Sequence, residues 1–208
     1  MPFNGLYPRL GDDLMNDKLI ETIGLKKYFK TRIGDLHAVD DVNISIEEGR
    51  TLGVVGESGC GKSTLGRVML RLIEPTAGEV RYRGENIFTF SKTQMMEMRK
   101  KAQIIFQDPY SSLNPRMSVF EIIAEPIKVQ RTIRNKNEMQ SKVFELMETV
   151  ALSQRYVNAY PHELDGGRRQ RIGVARALAL NPEFIVCDEP VSALDVSIQA
   201  QILNLMMD

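Results

Sequence analysis

An α/β fold with an antiparallel lead-in sheet and an inserted helical subdomain is predicted by three observations. A short apolar run at 51–55 leads into a glycine-rich loop, and a helical pattern follows it over 62–73. A fully apolar run at 184–187 ends on two adjacent acids, Asp188 and Glu189, as a buried parallel strand would. Between these runs the apolar residues recur at helical rather than strand spacing.

Each element has its own signal. Residues 1–17 read as a flexible polar leader, because Pro2, Gly5, Pro8 and Gly11 interrupt every periodic pattern. No apolar run there is long enough for a signal peptide or a membrane span. Over 19–48 the pattern is β-rich: Val42, Ile44 and Ile46 alternate, and Glu48 and Gly49 supply a turn. A strand at 51–55 follows, then a helix whose apolar face is Leu65, Val68, Met69 and Leu72. From 93 to 161 the chain is mostly helical, with Met139, Val143, Phe144, Leu146, Met147 and Val150 on one face. The inserted subdomain is placed at about 108–167, within a domain spanning 18–208. A second amphipathic helix over 169–180 is stopped by Asn181 and Pro182. The segment 197–207 is helical and runs to Asp208 without a cap or a following strand.

Composition narrows the function classes. Lys plus Arg and Asp plus Glu both number 27, so the chain has no global basic field of the kind that points to nucleic acid. Cys60 and Cys187 show no Cys-x-x-Cys spacing and no accompanying histidine cluster, which argues against a metal site or a disulfide framework. Contact with a membrane is expected to run through a partner.

The chemistry concentrates in two places. Gly56-Glu57-Ser58-Gly59-Cys60-Gly61-Lys62-Ser63-Thr64 fits the pattern G-x-x-x-x-G-K-[ST], and it lies between a predicted strand and a predicted helix. Glycines let backbone N–H groups turn inward on phosphates, and the helix N-terminus adds its positive dipole end. Lys62 is expected to reach the β- and γ-phosphates and Ser63 to offer its hydroxyl to Mg²⁺. Cys60 is expected to be a passive small residue, since nothing nearby activates it. Asp188 and Glu189 then stand at the C-terminal end of a parallel strand, where ligands bind in open sheets. Asp188 is expected in the Mg²⁺ shell, and Glu189 is expected to position the attacking water. A P-loop NTPase core follows.

Further segments carry a resemblance to ABC ATPases over roughly residues 19–208. Leu164-Asp165-Gly166-Gly167-Arg168-Arg169-Gln170-Arg171 resembles that family's L-S-G-G-Q signature and opens the helix before the acidic strand end. Gln107 resembles the Q-loop glutamine, Ser192-Ala193-Leu194-Asp195 the D-loop, and Tyr28 the aromatic that stacks on adenine. Judged alone, Tyr28 fits a half-buried sheet aromatic equally well, and its place ahead of the phosphate loop favours the adenine role. Gln107 alone would be an ordinary loop residue, and His162 reads as a structural or surface histidine. The run Gln107-Asp108-Pro109-Tyr110-Ser111-Ser112-Leu113-Asn114-Pro115-Arg116 is similar to one in the ATPases of dipeptide and oligopeptide importers.

The resemblance implies a subunit that binds and hydrolyses ATP with Mg²⁺ and works peripherally at the cytoplasmic face of a membrane. Lys62, Gln107 and Glu189 would be catalytic, and Ser63, Gln107 and Asp188 would surround Mg²⁺. Asp165, Gly166, Gly167 and Arg168 would face the ATP held by a second ABC ATPase subunit, docked head to tail. Integral membrane permease subunits would receive the motion through Gln107 and the helical subdomain, a substrate-binding protein would take part indirectly, and no nucleic acid would.

Two departures qualify that expectation. Asp165 stands where the family has serine; at about 4 Å and an effective dielectric near 20 its repulsion of a phosphate is on the order of 4 kcal/mol. Arg168 and Arg169, at helical spacing from it, are expected to neutralise it. The family's switch histidine is also missing: only His37 and His162 are present, both ahead of Asp188, so a fragment with poor turnover is expected. Two other functions compete with this one. A soluble ABC ATPase of translation or DNA maintenance is disfavoured by the importer-like run and the neutral charge. A regulatory subunit with one disabled site is disfavoured by Glu189.

Overall fold

The computed structural model describes residues 18–108 and 110–188. They fall into two compact units that divide between Phe90 and Ser91.

In the first unit, β1 (Lys18–Thr31) and β2 (Gly34–Glu47) form an antiparallel hairpin. β3 (Ala77–Tyr82) pairs with the other edge of β1, and β4 (Glu85–Asn86) closes a sheet of order β2-β1-β3-β4. The expected lead-in sheet is therefore present, and β3 and β4 extend it. Ile46 and Val39 of β2 are buried along with Ile20 and Leu25 of β1; the spacing within each strand is odd, and the register shifts in the β1–β2 pairing interrupt the simple alternation between them. Thr22 is buried as well, and its hydroxyl donates to the Val42 carbonyl at 2.9 Å and accepts from the Ile44 N–H at 3.0 Å.

Helix α1 (Lys62–Met69) touches β1 and β2 and buries Leu65, Val68 and Met69. It is shorter than the expected 62–73. Arg71 takes a positive φ of 49°, which no continuing helix allows, and its guanidinium donates to the Ile87 carbonyl at 2.9 Å. Leu72, expected on the apolar face, is consequently 49% exposed.

The segment 51–55 corrects another expectation, because it is not a strand. It has no ladder partner among the described residues, and without one the hydrogen bonding that defines a strand is missing. Val55 is accordingly 97% exposed.

The second unit begins with α2 (Lys92–Lys101), started by a capping box between Ser91 and Gln94. Strand β5 (Ala102–Ile105) follows, inside the stretch expected to be mostly helical; the sequence signal was the short run Ile104-Ile105-Phe106. Then come α3 (Val119–Gln130), α4 (Lys136–Thr149), α5 (Gly166–Leu178) and β6 (Phe184–Cys187). Strands β5 and β6 pair in parallel, from Ala102 opposite Phe184 to Ile105 opposite Cys187. The parallel strand was expected, but full burial was not found: residues 184–186 are half-buried and Cys187 is exposed. Among the described residues β6 pairs with β5 alone.

Helices α3, α4 and α5 enclose the core of this unit. Ile122, Ile123 and Ile127 of α3 meet Val143 and Met147 of α4 and Ile172 of α5, all buried. The expected face of α4 is thereby found, with Met139 and Phe144 partly buried at its margin. α5 starts at Gly166, ahead of the expected 169, because Asp165 caps it.

Candidate functional site

The phosphate-loop residues lie in the first unit. Between Gly56 and Gly61 the chain turns without regular structure, and the Cys60 N–H closes one turn on the Glu57 carbonyl at 3.3 Å. Gly61 caps α1 with φ 103°, and a β-carbon there would sit 1.9 Å from the Ala38 carbonyl oxygen of β2. Only glycine fits that conformation and that spacing. The first turn of α1 carries no acidic residue, so nothing offsets the positive end of its dipole.

Lys62, the first residue of α1, folds back across the loop. Its Nζ donates to the carbonyls of Gly56 at 2.9 Å and Glu57 at 2.8 Å, and Cys60 Sγ lies 3.9 Å away. The loop thus holds one cation over a helix N-terminus by contacts that phosphate oxygens could replace. Cys60 packs across the turn, since a β-carbon on Gly56 would lie 2.7 Å from its sulfur.

Tyr28, the expected adenine aromatic, is half-buried on β1 directly opposite His37 of β2. The two rings are stacked, with centroids 3.8 Å apart and planes 9° from parallel. The Tyr28 hydroxyl donates to Asp40, and that hydrogen bond pushes the hydroxyl up to about 12. The same bond, ahead of contributions from His37 and Lys26, holds the Asp40 carboxyl below its ordinary range. His37 and Asp40 were missed at the sequence level. Register could have found His37: Thr31 pairs with Gly34, and three steps back along each strand place Tyr28 against His37.

In the second unit, Gln107 and Asp188 follow β5 and β6. The strands are parallel, so both residues leave the same edge of this sheet. The Asp188 N–H donates to the Ile105 carbonyl at 2.9 Å, which continues the ladder one step, and the residue is buried. Glu189 and the D-loop residues Ser192, Ala193, Leu194 and Asp195 lie outside the described residues.

Asp108 accepts the Tyr110 N–H at 2.8 Å; this bond, helped by Ser111 and Arg169, keeps its carboxyl below the ordinary range. Helix α5 holds the neighbouring segment at two points. The Arg169 guanidinium lies 5.0 Å from the Tyr110 ring centroid, and Arg176 donates to the Ser112 carbonyl at 2.6 Å. Burial pulls the Arg176 guanidinium below its ordinary value.

At the signature segment, Asp165 accepts the Arg168 N–H at 2.8 Å, and its other oxygen pairs with the Arg168 guanidinium. The expected neutralisation comes from Arg168. Arg169 has other partners: its Nε donates to the Pro161 carbonyl at 2.8 Å, and its guanidinium lies over Tyr110. A helix rotation of one residue separates the two arginines, so one returns to the cap and the other faces the loop. Gly166 and Gly167 form the first turn of α5. His162 is exposed and stacks on Tyr160, as a surface histidine should. No described helix is long and apolar enough to cross a membrane.

Comparison with known proteins bears on these features. A protein-family profile described as ABC transporter matches residues 39–192. The chain is 55% identical over 195 residues to the oligopeptide transport ATP-binding protein OppF of Bacillus subtilis (strain 168), covering 93% of this chain and 64% of that protein. It is 48% identical over 199 residues to the dipeptide transport ATP-binding protein DppF of Haemophilus influenzae, covering 93% and 61%. It thus spans less than two thirds of the length of these relatives. Among solved structures, a dimeric ATP-binding cassette in a post-hydrolysis state bound to ADP and Pi matches with TM-score 0.83 at 29% identity, over 90% of this chain and 81% of that one. The family profile spans most of the chain, the relatives match it across nine tenths of its length, and the fold is that of an ATP-binding cassette: this chain belongs to the ABC transporter family.

Proposed function

We propose that this chain is the ATP-binding and ATP-hydrolysing subunit of an importer of di- and oligopeptides, working at the cytoplasmic face of the membrane. The observation that carries the reading is Lys62, held over the N-terminus of α1 by two loop carbonyls. Exchanging those neutral carbonyls for anionic phosphate oxygens turns an ion–dipole contact of the ammonium into an ion–ion contact, which favours the phosphate. The names of the relatives, oligopeptide and dipeptide transport ATP-binding proteins, support the choice of cargo.

When bound, Mg-ATP supplies the γ-phosphoryl group and the affinity difference that favours a closed pair of subunits. Residues 56–64 would grip the phosphates, with Lys62 supplying positive charge to their oxygens and Ser63 a hydroxyl to Mg²⁺. On this reading Asp188 would supply a carboxylate to Mg²⁺, Gln107 would respond to the metal, and Glu189 would orient water. Asp165, Gly166, Gly167 and Arg168 serve the nucleotide of a second subunit. Ser192, Ala193, Leu194 and Asp195 are read as the D-loop. Permease subunits and, through them, a substrate-binding protein complete the assembly.

The test is co-purification with integral membrane subunits, followed by uptake of labelled peptide into vesicles loaded with ATP. Peptide accumulation that requires ATP supports the reading. Accumulation of nickel or a sugar in place of peptide contradicts the cargo, and a failure to associate with any membrane subunit contradicts the transport role.

A further inference from the structure

Between Glu125 and Glu138 the chain has no acidic residue, yet it carries Lys128, Arg131, Arg134 and Lys136, all exposed, across the turn that joins α3 to α4. Lys128 is committed to its own helix, with Nζ 5.7 Å from the centroid of the Phe120 ring. The other three are not: among the described residues, none of their side chains makes an ion pair or a hydrogen bond. That sets this turn apart within its unit, where Lys100, Lys101, Lys142 and Arg168 each stand against a carboxylate. In a chain whose charges balance at 27 of each sign, three unanswered cations on one turn are a local field and not a share of a global one.

The backbone beneath them is fixed. Arg131 ends α3 in the left-handed region at φ 54°, the Thr132 N–H donates to the Ile127 carbonyl at 3.2 Å, and Ile133 packs against the helical core. Asn135 then starts α4, its side chain accepting the N–H groups of Asn137 at 2.8 Å and Glu138 at 3.3 Å. The cations thus leave a short, anchored turn, and Val129, two residues ahead of Arg131, is 66% exposed.

The chemistry of the turn selects its occupant. A specific protein partner needs a buried apolar centre, and Val129 is the one large exposed apolar side chain here. A single-stranded nucleic acid needs aromatic platforms, and no aromatic residue lies between Phe120 and Phe144. An anionic lipid surface asks for neither. It is a plane of diffuse negative charge, met by long flexible cations at its headgroups and by aliphatic side chains at the acyl boundary.

We propose that the α3–α4 turn is a membrane-surface contact, at which Arg131, Arg134 and Lys136 pair with the phosphates of anionic lipid headgroups while Val129 enters the headgroup boundary. The contact gives the chain a hold on the membrane separate from any permease subunit, and one that strengthens with the share of anionic lipid. It rests on the proposed membrane location for its purpose but not for its test, because vesicle binding needs neither nucleotide nor permease.

The experiment is co-sedimentation of the protein, without nucleotide, with vesicles of phosphatidylcholine alone and of phosphatidylcholine mixed with phosphatidylglycerol. One variant combines Arg131→Asn, Arg134→Gln and Lys136→Gln; asparagine tolerates the left-handed backbone at 131. A second removes three equally exposed cations elsewhere, by Lys30→Gln, Arg32→Gln and Lys92→Gln. The parent is expected to bind the mixed vesicles but not phosphatidylcholine, and to release them as salt rises. The turn variant is expected to lose about 100-fold in partitioning, about fivefold for each cation removed, while the second variant binds as the parent does. Equal losses in the two variants overturn the proposal, since net charge alone would then govern binding. So does a parent that ignores the mixed vesicles. Tighter binding to polyglutamate or to a single-stranded oligonucleotide than to the vesicles also overturns it, because the turn would then serve an acidic protein or a nucleic acid. Each of these failures leaves the nucleotide reading of Lys62 standing, and a failure of Mg-ATP to bind leaves the vesicle result standing.

Discussion

The Ala38 carbonyl oxygen occupies the place where Gly61 would carry its side chain, 1.9 Å from an ideal β-carbon. This contact sets the start of α1 directly against β2, and the phosphate loop inherits its position from the lead-in sheet. Gly61 also holds φ 103°, a conformation that side chains rarely adopt.

Replacing Gly61 by alanine therefore combines backbone strain with a clash against the Ala38 carbonyl, a backbone atom at the point where the β1–β2 register shifts. The expected loss of stability is on the order of 3 kcal/mol, measured by urea denaturation. Gly59→Ala, with positive φ but open space around it, is expected to lose less. Equal losses for the two variants would show that the approach to Ala38 is unimportant.

Asp165 is the N-cap of α5, and Arg168 neutralises it. Asp165→Ser keeps a capping oxygen and is expected to hold stability within a few tenths of a kcal/mol, whereas Asp165→Ala is expected to lose about 1 kcal/mol. ATP-dependent association offers a second readout. Because the carboxylate is already paired, Asp165→Ser should associate much as the parent does, and Arg168→Ala should associate more weakly at low salt than at high salt. Marked tightening by serine would mean that Asp165 repels the nucleotide despite its partner.

The Ser118 N–H and hydroxyl hold the Glu121 carboxyl below its ordinary range at the start of α3. A depressed value means that the folded state favours the ionised form. The stability this gives is fully present above the ordinary Glu value of about 4.3 and is lost as pH falls through the lower folded value. The urea midpoint of the parent should therefore drop more steeply between about pH 5 and about pH 3 than that of Glu121→Gln. Identical slopes would remove Glu121 from the acid response.

Much of the site was legible because its motifs are local. The glycine-rich turn ahead of α1 was legible through its spacing, α4 through its periodicity, and β6 through an apolar run ending in Asp188. What the sequence did not reveal depended on contacts between segments distant along the chain. The ring of His37 meets Tyr28 only once the hairpin register is known, and Arg169 reaches Tyr110 and Pro161 only once α5 has packed. The run at 51–55 misled for the same reason: its composition suits a strand, but a strand also needs a neighbour, and composition does not supply one.

The Lys62 ammonium is the proposed grip on a triphosphate. Calorimetric titration of Mg-ATP against the parent and Lys62→Ala tests it most directly. A loss of affinity on the order of 100-fold in the variant is expected, from the removal of charge-assisted hydrogen bonds. Equal affinity in the two proteins would contradict the assignment of this loop as the nucleotide's anchor.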